Sequence, residues 1–188
     1  MIEATVTRDA AVADAWVRCL RDSHHHHAPL LVALDCKWAH HHHRPTSKHP
    51  GRVAVLLLCS GGSCLVLQLL YARRVPECLR RLLLDPAVRL VGVGEAAARL
   101  AADHGIACAA AVDLEGPCRE YLGRAGGKGE GEDQDQDKPM MGLKGERPAN
   151  IVDSDWEKRE LDVAQVRFAC FDAYVAYRLA ERVLAGRE

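Results

Sequence analysis

Residues 30–38, 53–59 and 64–70 are apolar runs in close succession, and Ser60-Gly61-Gly62-Ser63 joins the last two. A short glycine-centred joint between apolar runs is a hairpin signal, so the second and third runs are expected to pair antiparallel. The first run, Leu30-Leu31-Val32-Ala33-Leu34-Asp35-Cys36-Lys37-Trp38, reads as a buried strand with a polar end. The three together predict an antiparallel meander. Strands and helices then alternate: a helix over 75–84 with Leu79, Leu82 and Leu83 inward, a strand over 89–94, an Ala-rich helix over 95–104 closed by Gly105, a strand over 106–114 and a short helix over 117–122. Upstream, residues 3–7 alternate weakly as a short edge strand, and residues 9–21 form an amphipathic helix that Asp9 is placed to cap. A meander followed by alternating strands and helices predicts an α/β fold, a mixed sheet with parallel strands added and helices on both faces.

The chain of 188 residues is expected to be a single domain, 1–188, long enough for a sizeable core. Aromatics make up only 5% of it, so small aliphatics must fill that core. A net charge of −1 supplies no global field for nucleic acid, and contact with phosphates would need a local basic patch. No apolar run approaches the ~20 residues of a membrane span, so no membrane partner is expected. Eight cysteines without CxxC or zinc-ligand spacing read as reduced core residues of an intracellular protein, nuclear or cytoplasmic. Residues 124–150 are rich in glycine and acidic residues and are expected to form a disordered loop within the domain. The histidine runs 24–27 and 40–43 flank the first apolar run and read as solvated loops.

Near the end, Leu161, Val163, Val166, Phe168, Ala169, Ala173, Val175, Ala176 and Leu179 recur at helical spacing, with Ser154 or Asp155 as the expected helix cap. Asp172 falls near the apolar side of that helix, where an unpaired carboxylate is costly. It must be solvated at a cleft, paired with a cation or bound to a metal.

Trp156, Leu161, Gln165 and Phe168-Ala169-Cys170-Phe171-Asp172-Ala173-Tyr174 resemble, in order and spacing, the last motif of the DEDDy 3′–5′ exonucleases, in particular the Werner-type exonuclease domain, of which this would be a divergent, plant-like member. Asp35-Cys36-Lys37-Trp38 resembles that family's first motif, Asp-x-Glu followed by Trp, and Val91-Gly92-Val93-Gly94 its second. The resemblance implies a ribonuclease H-like fold and two-metal phosphodiester hydrolysis, with four carboxylates holding Mg²⁺ or Mn²⁺ ions ~3.5–4 Å apart. Asp35 and Asp172 would be the remnant catalytic and metal-binding residues. The other positions have changed: Lys37 replaces a Glu, Ala98 (or Ala96, with a small deletion) stands where an Asp is expected, and Phe168 replaces the water-orienting Tyr. Residues i and i+2 of a strand share a face, so Lys37 should point its ammonium with Asp35 toward the metal pocket and contact Asp35 or Asp172 in place of an ion.

The leading expectation is therefore a 3′–5′ exonuclease-like pseudoenzyme that holds no metal and binds nucleic acid, a DNA or RNA 3′ end, or a protein partner. The alternatives are an active exonuclease that completes its site with Glu95 or Asp103, and a regulatory subunit that forms a homo-oligomer or pairs with a homologous active exonuclease. Arg73, Arg74, Arg80 and Arg81 form one candidate phosphate-binding cluster, Lys158, Arg159 and Arg167 beside the last helix form another, and Trp38 is the candidate stacking residue near the site.

Overall fold

All three apolar runs become strands at the centre of one sheet. The computed structural model describes residues 2–24, 29–39, 51–92, 95–109, 112–113 and 154–185. The histidine runs apart from His24, the expected helix over 117–122 and the acidic loop over 124–150 lie outside them. In chain order the described elements are β1 (Glu3–Thr7), α1 (Ala10–Ser23), β2 (Leu30–Trp38), β3 (Val53–Ser60), β4 (Ser63–Gln68), α2 (Glu77–Leu84), β5 (Val88–Gly92), α3 (Ala96–His104), β6 (Val112–Asp113) and α4 (Val163–Ala185).

The strands lie in the order β1-β4-β3-β2-β5-β6. β2, β3 and β4 are the antiparallel meander, while β1 adds parallel to β4, β5 to β2 and β6 to β5. Gly61 takes φ 59° as the first of the two loop residues between β3 and β4, the conformation a type II′ hairpin demands and a side chain resists. The carboxyl ends of β1, β2, β4 and β5 consequently share one rim of the sheet.

Alternation sorts the core into two layers. Val32, Leu34 and Cys36 of β2 pack with Trp16 and Val17 of α1, Leu79 and Leu82 of α2 and Leu100 of α3. Ala33 of β2, Val55 and Leu57 of β3 and Val66 of β4 pack under Ala169, Ala173 and Ala180 of α4. The cysteines are free thiols among the described residues: Cys36, Cys59, Cys64 and Cys170 are buried as expected, but Cys19 is exposed on the outer side of α1. No described helix is long and apolar enough to cross a membrane.

Three boundaries differ from the sequence expectation. α2 begins at Glu77 because Pro76 forces Val75 out of helical geometry. Of the strand expected over 106–114, the described residues hold Val112–Asp113, and 106–109 lie outside it, since Ile106 N–H turns back to the Leu100 carbonyl (3.3 Å) and Ala109 N–H bonds the Leu83 carbonyl (2.6 Å) instead of a ladder. α4 starts at Val163, not after Ser154 or Asp155. Gln68 Nε2 donates to the Lys158 carbonyl (2.9 Å) and Tyr71 O–H to that of Glu157, occupying acceptors that a longer helix would need.

The true cap is a reciprocal capping box. Asp162 Oδ1 accepts from Gln165 N–H (2.9 Å) while Gln165 Oε1 accepts from Asp162 N–H (3.1 Å). The Gln165 N–H bond, aided by Lys158, holds the Asp162 carboxyl below the usual range. A carboxyl with a depressed folded pKa contributes stability above its unfolded value, ~3.9, and loses it as pH falls through the folded one. Asp162→Ala is thus expected to melt below the wild type at pH 7, with the gap closing as pH is lowered beneath ~4, followed by circular dichroism at 222 nm.

Candidate functional site

Asp35 and Lys37 lie near the carboxyl end of β2 and, two residues apart, face α4 together. The small residues Ala169, Ala173 and Ala180 let α4 sit close on the sheet, and this brings Asp172 to the strand end. The Lys37 ammonium stands between the two acids, Nζ 2.8 Å from Asp35 Oδ2 and 2.9 Å from Asp172 Oδ2. The remaining oxygen of Asp35, Oδ1, accepts from Cys36 N–H at 2.8 Å. Two rings complete the enclosure: Nζ is 5.1 Å from the Phe168 centroid and 5.9 Å from that of Trp156, within cation–π range. The ammonium expected to contact one of the acids bridges both.

The three charged side chains are largely out of water, with exposures of 13% for Lys37, 27% for Asp35 and 17% for Asp172. Burial pushes the Lys37 pKa down, but the charges of Asp35 and Asp172 and the hydrogen bonds to both outweigh it, leaving the ammonium above the ordinary lysine value. Lys37 is therefore charged throughout the physiological range.

The residues present do not fit a pair of divalent ions. Both acids are already committed to the ammonium, and among the described residues no three His, Cys, Asp or Glu side chains converge on a point where an ion could sit. A cation placed ~4 Å from the ammonium would meet ~4 kcal/mol of repulsion per unit charge at an effective dielectric of ~20.

The carboxylates considered for a rearranged site are not brought to it. Asp103 Oδ2 accepts from Val53 N–H (2.8 Å) at the start of β3 and lies 3.6 Å from Arg99, so it secures a strand end. Glu95 is exposed just before α3. Of the two positions where an Asp was expected, Ala96 is buried in the α1–α3 layer, its carbonyl 4.0 Å from Cys36 Sγ, whereas Ala98 is exposed and has room for a side chain. Gly92 of the Val-Gly-Val-Gly motif allows a close approach: a Cβ there would fall 2.8 Å from the carbonyl oxygen of Leu34, next to Asp35.

Trp38 must be moved away from the site. It packs with the α1–α3 layer, on the sheet face opposite Asp35 and Lys37, because odd and even positions of β2 point to opposite sides. Its place is taken by Trp156, 2% exposed, which the motif contained but its spacing did not assign to the pocket. Gln165, 1% exposed, was likewise missed as a clamp: beyond the capping box, its Nε2 donates to Ser154 Oγ (3.0 Å) and the Asp155 carbonyl (2.9 Å), which fixes the segment carrying Trp156.

The four-arginine cluster also divides. Arg80 donates to the Gly105 carbonyl (2.9 Å) and Arg81 to Glu77 (3.0 Å) on α2, while Arg73 and Arg74 line a separate cleft with Arg8 and Arg159.

No family model matches the chain. It is 30% identical over 156 residues to the Exonuclease 3′-5′ domain-containing protein 2 of Drosophila melanogaster, an alignment covering 81% of this chain and 25% of that protein. The chain thus spans about a quarter of the length of the curated relative it matches. Among solved structures, Escherichia coli RNase D superposes with a TM-score of 0.70 at 13% identity, covering 98% of this chain and 45% of that one. The Aedes aegypti Nibbler EXO domain gives 0.69 at 15% identity, with 98% and 90% coverage. The EXD2 exonuclease domain soaked in Mn gives 0.55 at 20% identity, with 97% and 89% coverage. These likenesses, with the mixed sheet, give the chain the ribonuclease H-like fold of 3′–5′ exonuclease domains, and in sequence it is similar to one protein that carries such a domain.

Proposed function

We propose that this domain binds nucleic-acid strands without cutting them efficiently, the Lys37 ammonium serving as the fixed cation of its central pocket. One observation carries the reading: Nζ lies within 2.9 Å of both remaining acids. A metal-dependent hydrolase of this kind needs its carboxylates free to hold two ions that activate water and stabilise the leaving oxygen. Here the acids are neutralised from within, a lysine stands in place of a third ligand, and Phe168 offers a ring face instead of a hydroxyl to orient water. Loss of a single positioned catalytic group commonly costs ~10² or more in rate, and several are changed at once. The scaffold itself is retained, and the names of its structural neighbours (an exoribonuclease, exonuclease domains) point to strands of nucleic acid as the partner.

The test is end-trimming of labelled single-stranded and 3′-recessed duplex oligonucleotides with Mg²⁺ or Mn²⁺. Wild type is expected to release no more product than Asp35→Ala. Trimming that Asp35→Ala abolishes would overturn the reading. The triple variant Lys37→Glu/Ala98→Asp/Phe168→Tyr is expected to bind Mn²⁺ by isothermal titration calorimetry where wild type does not, and failure of the triple variant to do so would count against a remnant metal pocket.

A further inference from the structure

The rim that carries the Lys37 pocket carries a second feature. Register places Lys37 opposite Val55 and Val55 opposite Gln68; with Thr7 opposite Leu67, the next residue of the edge strand, Arg8, falls beside the same row. At ~4.8 Å between strands, the end of β4 is about 10 Å from Lys37, and the end of β1 about 15 Å. Beyond those two strand ends lies an open cleft of about 610 Å³, lined by Arg8, Arg73, Arg74, Arg159 and Tyr71, with Asp9 in its wall.

Among the described residues, four arginines and one carboxylate, Asp9, line this cleft. Elsewhere Arg21 pairs with Asp85, Arg81 with Glu77, Arg99 with Asp103 and Arg178 with Glu181. None of the cleft arginines meets a carboxylate among the described residues, and all four are exposed. Asp9 accepts the Ala11 N–H as the cap of α1. Two of the four are held in place: Arg8 Nη1 donates to the Arg159 carbonyl (3.2 Å), and the Arg159 guanidinium lies 5.8 Å from the Tyr71 ring centroid. In a chain of net charge −1, four arginines gathered with no ion-pair partner among the described residues make a local anion site.

The pocket and the cleft are joined by one segment, 156–159. Trp156 closes over Lys37, Glu157 and Lys158 are tied through their carbonyls to Tyr71 and Gln68, and Arg159 reaches the cleft. We propose that this arginine cleft binds the phosphodiester backbone of a single strand whose end lies at the Lys37 pocket. The inference rests on the nucleic-acid reading above and gives the strand a path. A single phosphate would not fill the cleft, whereas guanidinium forks spread over its walls suit successive phosphates.

The test is fluorescence anisotropy of labelled single-stranded dT and rU 20-mers with the full chain at stepped salt. Arg73→Glu/Arg74→Glu is expected to weaken binding by about tenfold or more and to flatten the slope of log K against log salt by about 1.4, at ~0.7 per phosphate contact. Arg80→Glu/Arg81→Glu, the same charge change outside the cleft, should stay within about twofold. Arg159→Gln, a milder change, should weaken binding by about threefold while leaving the melting temperature unchanged. Inorganic phosphate should compete no better than sulfate at equal ionic strength. Equal binding by the two double variants or selective displacement by phosphate would overturn the cleft inference alone; no oligonucleotide binding by wild type would overturn the nucleic-acid reading with it and leave the Mn²⁺ result for the Lys37 pocket standing. Weakened binding by the cleft variant of a wild type that trims strands would uphold the cleft and overturn the silent-pocket reading.

Discussion

In EDTA, Lys37→Glu is expected to melt about 10 °C below the wild type, and millimolar Mn²⁺ to recover most of the loss. The substitution removes the ammonium that bridges Asp35 and Asp172 and sets a third carboxylate beside them. Breaking a buried ion pair by removing one partner costs about 3–5 kcal/mol, and the residual solvent access of these groups brings that toward 3. For a domain of this size each kcal/mol is worth about 2–4 °C. A divalent ion returns the missing charge, and a ligand at a hundredfold excess over its Kd stabilises by about 2.7 kcal/mol. Wild type should show no Mn²⁺ shift, because its pocket already contains a cation. Differential scanning fluorimetry with and without metal reads both effects, and an equal Mn²⁺ shift in the two proteins would show that Lys37 does not exclude the ion. Lys37→Met with Asp35→Asn and Asp172→Asn separates charge from packing. Removing charge on both sides is expected to recover most of the stability that Lys37→Glu loses without metal.

The second large effect is expected at Trp156. The ring is 2% exposed, belongs to the core layer under α4 and forms one wall of the ammonium pocket. Trp156→Ala is expected to cost about 3–5 kcal/mol, roughly 10 °C in melting temperature. It should also speed proteolytic cleavage within residues 154–162, which the ring anchors from the inside while Gln68 and Tyr71 hold them from the side of β4. Trp156→Phe should retain more than half of the stability, because it keeps an aromatic face toward Lys37. A loss below about 1 kcal/mol in Trp156→Ala would mean that the segment is held by its hydrogen bonds alone.

Much of this was legible in the sequence because it depends on short-range periodicity. The three apolar runs and the Ser60-Gly61-Gly62-Ser63 joint specified the meander, and the i, i+2 relation of Asp35 and Lys37 put both groups on one face. The same alternation ruled Trp38 off that face, and adjacency within a motif was the weaker guide. The start of α4 was missed for another reason. Ser154 and Asp155 are good caps in isolation, but Gln68 at the end of β4 and Tyr71 just past it, far away in sequence, capture the carbonyls that follow. That Arg8 would meet Arg159 was beyond local pattern altogether. Their meeting depends on β1 pairing parallel with β4, a contact between residues about sixty apart for which neither segment carries a signal of its own.

A charge covalently attached to β2 is present at unit stoichiometry in every molecule, and no solution variable can dilute it. Chelators, ion starvation and competition among metals, which set the occupancy of a loaded hydrolase, have no lever on the balance between Asp35, Asp172 and Lys37. On the reading proposed above, such a fold trades supply-dependent chemistry for a constant electrostatic state, and its pocket presents the same face to a strand at any metal concentration.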